Sequence, residues 1–438
     1  MVLNAHPFPP ARMSPLPDRP SPRLLPLAWS LFAALILALS VCIPLFSRPD
    51  PERVTIAYPP LFPFYYQTNG DAPLEMSTSL GFPGFYREQP FRVARPAFYA
   101  VLAGARTLLR PGADLILGKE GAERMWGEWP ARDHVITYCL WILANFALLL
   151  AAARMAYKMA LPYFPAAQAS LACALLLASP IVLLALREIH LNALNVFMGI
   201  ACLAFWKTAL SERLSPGGLF LPSLALGVAF QGKLCLNGFG VGLCLCLLSG
   251  QGRKLIRILP GLAIPFLGWF LIVKAMGIPF GYPEVTRWRA GVWILEAGFS
   301  GAPAEFRWYV GQWLGALGES LGPGHVVFAA LGAWSLFRGP VPPGAPHPRR
   351  ALLRLALLIA AADFGFYFLV HRVHAAYFMN TVFCVLLLAC EGLAWAASLA
   401  AERLSPPWGR TAKFRLCMVA AAAFQIALLW RQLPRYGG

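Results

Sequence analysis

Apolar stretches recur along the whole chain, separated by short polar segments. They fall at 24–46, 134–156, 166–186, 191–209, 217–232, 234–249, 255–276, 322–337, 352–370, 376–396 and 414–431. Most are long enough for a helix to cross about 30 Å of hydrocarbon. The pattern predicts an all-α polytopic membrane protein with about 11 transmembrane helices. Two stretches, 217–232 and 234–249, are short and form a tight hairpin around Lys233. The first stretch reads as a retained anchor: it is longer than a signal-peptide core and no small-residue cleavage pattern follows it.

Two polar intervals break this rhythm, 47–133 and 277–321. Residues 1–23, rich in Pro and Arg, read as a disordered cytoplasmic tail, and 24–438 as one transmembrane domain that includes both intervals. A long loop directly after a first span is where function specific to a protein collects. The segment Tyr58 to Tyr66 is aromatic and proline-rich, which suits the lipid interface. After Pro96, the residues Phe98, Val101, Leu102, Ala105, Leu108 and Leu109 share one helical face, with Arg95, Arg106 and Arg110 mainly off it. This predicts an amphipathic helix that starts at Pro96 and lies flat on the outer membrane surface.

Composition excludes whole classes. The chain is 58% hydrophobic and 13% charged, with mean hydropathy +0.59. A soluble enzyme, a disordered chain and a coiled coil do not have these values. The net charge of +17 carries no basic run and no nucleic-acid motif, so no nucleic-acid partner is expected. The charge sits instead in alternate short loops. Arg12, Arg19, Arg23, Arg154, Lys158, Lys207, Arg213, Arg253, Lys254, Arg257, Arg338, Arg349, Arg350, Arg354, Arg403, Arg410, Lys413 and Arg415 are 18 basic residues, against Asp18, Glu212 and Glu402. The positive-inside rule puts these segments in the cytoplasm, with the N-terminus inside, the C-terminus outside and both long intervals external. The expected location is the cell (inner) membrane. All ten cysteines lie inside apolar stretches, which argues against a disulfide framework or a zinc site.

The first external interval holds the candidate chemistry. Asp71 and Glu75 are four apart, on one face of any helix. Arg92 and Arg95 follow in Pro90-Phe-Arg-Val-Ala-Arg-Pro96. A carboxylate can deprotonate an acceptor hydroxyl, and guanidinium groups can hold an anionic leaving group. The plainer alternative is a helix-capping Asp71 and a first-turn Glu75.

The order of features resembles the GT-C superfamily of integral-membrane glycosyltransferases, near the polyprenyl-phosphate-sugar-dependent mannosyl- and arabinosyltransferases. Those features are a first span, an external loop with Gly70-Asp71 through Met76 near the membrane, the Pro-Phe-Arg-x-x-Arg-Pro segment, a flat helix and many further spans. Ala72 stands where many members carry a second acid, and Leu74 where Tyr is common. The resemblance implies transfer of a sugar from a polyprenyl-phosphate donor to a lipid, glycan or protein acceptor, with Asp71 as catalytic base.

Further residues map to the same external side. Arg187, Glu188, His190 and Asn192 form a turn, Lys233 tips the hairpin, and Arg372 and Tyr377 follow the ninth span. Arg92, Arg95, Arg187, Lys233 and Arg372 are therefore candidate partners of a donor phosphate, with His190 and Tyr377 as neighbours. Snorkelling to headgroups is the plainer role for each cation. His371 and His374 have the spacing of a metal pair but no third ligand, so no metal or other cofactor is assigned. Asp363 and Glu391 lie within spans, the pattern of a secondary transporter or lipid flippase with a proton-coupled carboxylate. A non-catalytic assembly factor is the third class. Without a repeat between the two halves of the chain, and with one large loop after the first span, the enzyme is favoured.

Overall fold

The computed structural model describes residues 55–56, 66–67, 72–82, 96–117, 124–125, 129–187, 191–211, 216–231, 236–278, 303–338, 348–369 and 378–403. The stretches 24–46 and 414–431 expected as first and last spans lie outside these residues, as does the tail. The described fold is helical apart from two short ladders, which pair Thr55–Ile56 with Tyr66–Gln67 and Arg124–Met125 with Trp129–Pro130.

The helices, in chain order, are α1 (Ala72–Gly81), α2 (Pro96–Leu117), α3 (Ala131–Ala160), α4 (Ala166–Ala178), α5 (Pro180–Arg187), α6 (Asn192–Ala209), α7 (Phe220–Phe230), α8 (Leu236–Leu248), α9 (Leu255–Ala275), α10 (Pro303–Leu321), α11 (Pro323–Arg338), α12 (Pro348–Leu369) and α13 (Val382–Arg403). Among the described residues, Arg132–Ala160, Gly252–Ala275 and Pro348–Leu369 are long and apolar enough to cross a membrane, and five shorter apolar helices accompany them. This is a multi-pass membrane architecture.

Proline sets several boundaries. The stretch 166–186, expected as one span, is two helices, because the residue before a proline is pushed out of the helical region. Ser179 before Pro180 is extended, at φ −63° and ψ 131°. Gly322 takes φ 83° and closes α10, and Pro323 opens α11, since proline fits a first helical turn. The interval 277–321, expected as a loop, holds the 19-residue α10.

Small residues set the closest packing. A Cβ on Gly332 would lie 2.0 Å from the Leu388 carbonyl oxygen, and one on Gly392 would lie 1.9 Å from that of Phe328. Here α11 and α13 meet backbone to backbone. Close approach through small residues drives helix association in lipid, where the hydrophobic effect between spans is absent. The two largest fully buried side chains are Trp141 on α3 and Trp206 on α6.

Polar clusters mark one end of the bundle. Lys254 Nζ donates to the carbonyls of Ala209 and Ser211, each at 2.7 Å. Arg349 pairs with Glu391, donates to Gln168 Oε1 at 3.2 Å, and covers the ring of Phe164 at 4.7 Å. Lys254 and Arg349 belong to the segments that the charge pattern assigns to the cytoplasm.

Candidate functional site

Asp71, Arg92, Arg95, His190, Lys233, Arg372 and Tyr377 lie outside the described residues, and so do the side chains of Glu75 and Arg187. The helices that flank them are described, and their contacts gather at the end of the bundle opposite Lys254 and Arg349.

The helix α1 carries Glu75 and begins directly after Asp71; Pro73 suits its first turn. Its far end is locked in place. Arg106 of α2 donates to the carbonyls of Ser79 (3.3 Å) and Leu80 (2.9 Å), in the last turn of the helix. Trp141 Nε1 donates to Ser79 Oγ at 3.0 Å. Burial pulls the Arg106 guanidinium below its ordinary range, and the nearby Asp133 carboxylate opposes the fall.

The expected helix after Pro96 is α2, which starts at that residue. Its placement is more specific than a helix resting alone on a surface. It runs along the N-terminal part of α3, from Phe98 against Trp141 (4.7 Å between ring centres) to Arg110, which clasps both oxygens of Asp133. Arg132 adds a third donor to that buried carboxylate at 3.3 Å. Val101, Leu108, Leu109 and Leu115 stay exposed, an apolar face left for lipid. Arg106 and Arg110 therefore turn inward from the polar face, to α1 and to α3.

The helices α7 and α8, on either side of Lys233 in the sequence, are short. At 11 and 13 residues, α7 and α8 are about 17 and 20 Å long, against about 32 Å for their neighbours α9 and α12. Gln231, the last described residue before the turn, donates to the Pro265 carbonyl, midway along α9. Asn237, just after the turn, donates to Asp363 Oδ1 on α12 at 2.6 Å. Beyond these points α9 continues to Ala275 and α12 to Leu369. Both helices continue beyond their contacts with Gln231 and Asn237 by about 9 Å or more.

Aromatic residues occupy these further segments. Phe82, at the end of α1, stacks on Trp269, one helical turn beyond Pro265. On α12, Phe364 and Phe368 pack against Trp313 of α10, and Phe368 also against Tyr309. Phe378, the residue after Tyr377, meets Trp313 and Phe364 at 5.8 and 5.4 Å. The contacts of α1, Gln231, Asn237, α10 and Phe378 thus converge on the C-terminal halves of α9 and α12. Asp363 and its partner Asn237 lie at the floor of this convergence.

The two intramembrane acids differ. Glu391 gives its carboxylate to Arg349 at the opposite end. Asp363 is buried with one oxygen on Asn237, and its Oδ2 has no partner among the described residues. The same residues hold no cluster of three potential metal ligands.

No family model matches the sequence, and neither does any curated protein. Solved structures do. ArnT from Cupriavidus metallidurans bound to undecaprenyl phosphate aligns over 94% of this chain and 72% of its own, with TM-score 0.50 and 17% identity. Its apo state aligns over 94% and 74%, with TM-score 0.49 and 15% identity. The Archaeoglobus fulgidus oligosaccharyltransferase tethered with an acceptor peptide aligns over 94% of this chain and 55% of its own, with TM-score 0.49 and 14% identity. The likeness to ArnT shows the architecture: the chain has a GT-C-like fold.

Proposed function

We propose that the chain is a glycosyltransferase that moves a sugar from a polyprenyl-phosphate donor to an acceptor at the external face of the membrane. The observation that carries this reading is the fold shared with an ArnT structure that holds undecaprenyl phosphate. The convergence of α1, the facing ends of α7 and α8, and Phe378 on α9 and α12 adds support from this chain's own geometry. The sequence places an acid directly before α1 and a cation between α7 and α8, a suitable pairing for the two ends of such a reaction.

The acceptor hydroxyl gives its proton to the Asp71 carboxylate as its oxygen attacks the anomeric carbon of the donor sugar. The bond from that carbon to the phosphate oxygen breaks, and its electron pair leaves on the polyprenyl phosphate. Attack from the face opposite the phosphate inverts the anomeric centre. The leaving group is already an anion of low basicity, so one carboxylate suffices where a glycosidase needs two. Glu75, one turn along α1, orients the acceptor. Lys233, Arg92, Arg95, Arg187 and Arg372 supply cations to the phosphate, whose charge is poorly tolerated away from water. His190 and Tyr377 border the same site.

The test is Asp71→Asn, which keeps shape and removes the base. Transfer of sugar by the purified protein should fall by about a thousandfold or more, within the range of a lost general base combined with lost positioning. Binding of undecaprenyl phosphate should remain. Near-normal transfer would remove Asp71 from the mechanism. The transporter alternative draws on Asp363 and Glu391, and the Arg349–Glu391 pair leaves it with Asp363 as its carboxylate.

A further inference from the structure

The membrane span Gly252–Ala275 opens with three cations, Arg253, Lys254 and Arg257, whose side chains part company. Lys254 turns inward to the carbonyls of Ala209 and Ser211 at the end of α6. Arg253 and Arg257 stay exposed, one helical turn apart. Behind them, α9 packs mainly on α7, through a face that buries Leu255, Ile258, Gly261 and Val273. Among the described residues it is the least buried of the three long spans. Arg257, Ile264, Leu267 and Leu271 lie on the opposite face, all exposed, with Arg253 one turn before them. That face is a stripe with two guanidinium groups at the membrane boundary and aliphatic side chains running about 21 Å along the bilayer from Arg257.

The two arginines are poorly placed for the protein alone. Like charges four residues apart on a helix repel. The start of a helix carries the positive end of its dipole, which disfavours cations, and the first turn of α9 holds no acid. No Asp or Glu occurs anywhere in 213–283, and neither arginine has an ion-pair partner among the described residues. One anion between the two guanidinium groups offsets all of these costs. Because the apolar stripe continues directly from the pair, an anion that carries hydrocarbon chains fits the whole face.

We propose that Arg253, Arg257 and the start of α9 hold the headgroup phosphate of an anionic phospholipid, whose acyl chains lie along Ile264, Leu267 and Leu271. A zwitterionic headgroup brings its own cation to the pair, so a lipid of net negative charge is preferred. The bound lipid stabilises a helix whose protein contacts run mainly through α7. The site is separate from the one proposed for glycosyl transfer: sixteen residues, about 24 Å of helix, lie between Arg253 and Trp269. It stands whether or not the transfer reading does.

The experiment titrates the purified full-length protein in detergent with phosphatidylglycerol or phosphatidylcholine. Native mass spectrometry reads bound lipid, and thermal unfolding is followed in parallel. Wild type should bind one phosphatidylglycerol about tenfold or more tightly than phosphatidylcholine, consistent with about fivefold for each arginine near an anionic headgroup. Arg253→Gln with Arg257→Gln should cut that preference to about twofold or less and cancel the thermal stabilisation by phosphatidylglycerol. Arg257→Glu should do the same, because a carboxylate four residues from Arg253 takes the place of the lipid anion. That variant keeps a paired helix and decides the matter if the double variant does not fold. Arg354→Gln, which removes an exposed arginine of α12, should leave the preference unchanged. An unchanged preference in the double variant, or an equal loss in Arg354→Gln, would overturn the site and leave only diffuse attraction of a basic surface to acidic lipid. Equal stabilisation by inorganic phosphate at the same concentration would show that the chains play no part, and the phospholipid would be overturned as the ligand.

Discussion

At the scale of single residues, the informative groups are the charges taken out of water. Glu391 and Arg349 are each about one-fifth to one-quarter exposed, and they neutralise each other beside Gln168 and the Phe164 ring. Removing one partner strands the other. Arg349→Met should therefore cost about 1–3 kcal/mol, less than a fully buried pair because water reaches both groups. The double variant Arg349→Met with Glu391→Gln should recover much of that loss, since no uncompensated charge remains. Thermal unfolding in detergent checks both, and equal losses for the single and double variants would show that the pair contributes little. The sequence marks both residues as charged near a span, but the pairing is not legible there: they are 42 positions apart, on different helices. The same holds for Asn237 and Asp363, which are 126 apart. An intramembrane acid announces itself in a sequence, whereas its partner, a single asparagine in an apolar run, gives no signal.

At the scale of elements, the helix start at Pro96 was legible, and one break at Pro180 divides an apolar run that hydropathy alone reads as continuous. The helix α10 escaped notice for a physical reason. It mixes Glu305, Arg307 and Glu319 with Gly311, Gly315 and Gly318, which lower both hydropathy and helix propensity. Its aromatic face of Phe306, Tyr309 and Trp313, spaced three and four apart, was the signal available. The docking of α1 shows what element contacts add to a sequence pattern. Its terminal carbonyls are held by Arg106, and its Ser79 by Trp141. Arg106→Ala should loosen the whole helix. Hydrogen exchange at residues 74–81 should quicken about fivefold to thirtyfold, matching a local loss of about 1–2 kcal/mol. Arg106→Lys, which still donates to a carbonyl, should recover part of the protection. Unchanged exchange in Arg106→Ala would show that packing of Met76 and Leu80 alone holds α1. The crossing of α11 and α13 makes a sharper prediction. Gly392→Leu puts a side chain where a Cβ already meets the Phe328 carbonyl, so the helices must separate. A stability loss of about 3 kcal/mol or more is expected, above ordinary overpacking because backbone rather than a side chain must move.

At the scale of the whole molecule, function depends on which end of the bundle faces out. The two ends are chemically unlike. One holds Lys254 on the carbonyls of Ala209 and Ser211, and Arg349 with Glu391; the other holds the docked α1, the facing ends of α7 and α8 and the aromatic walls of α9, α10 and α12. On α9 these ends are separated by the fifteen residues from Lys254 to Trp269, about 22 Å of helix. On the proposed topology, the 18-to-3 excess of basic over acidic residues in alternate loops orients the first of these ends to the cytoplasm. The apolar face of α2, with Val101, Leu108 and Leu115 exposed, would then rest against the outer leaflet, and the proposed lipid-linked donor would reach the site from that leaflet. A cysteine-free variant carrying Asp114→Cys on α2 should react with a membrane-impermeant thiol reagent added to intact cells. One carrying Gly252→Cys, beside Lys254, should react only after the membrane is opened. The opposite labelling would place Asp71 and Lys233 on the cytoplasmic side. The fold would stand, but the donor would then have to be presented from the inner leaflet, and every external assignment would reverse with it.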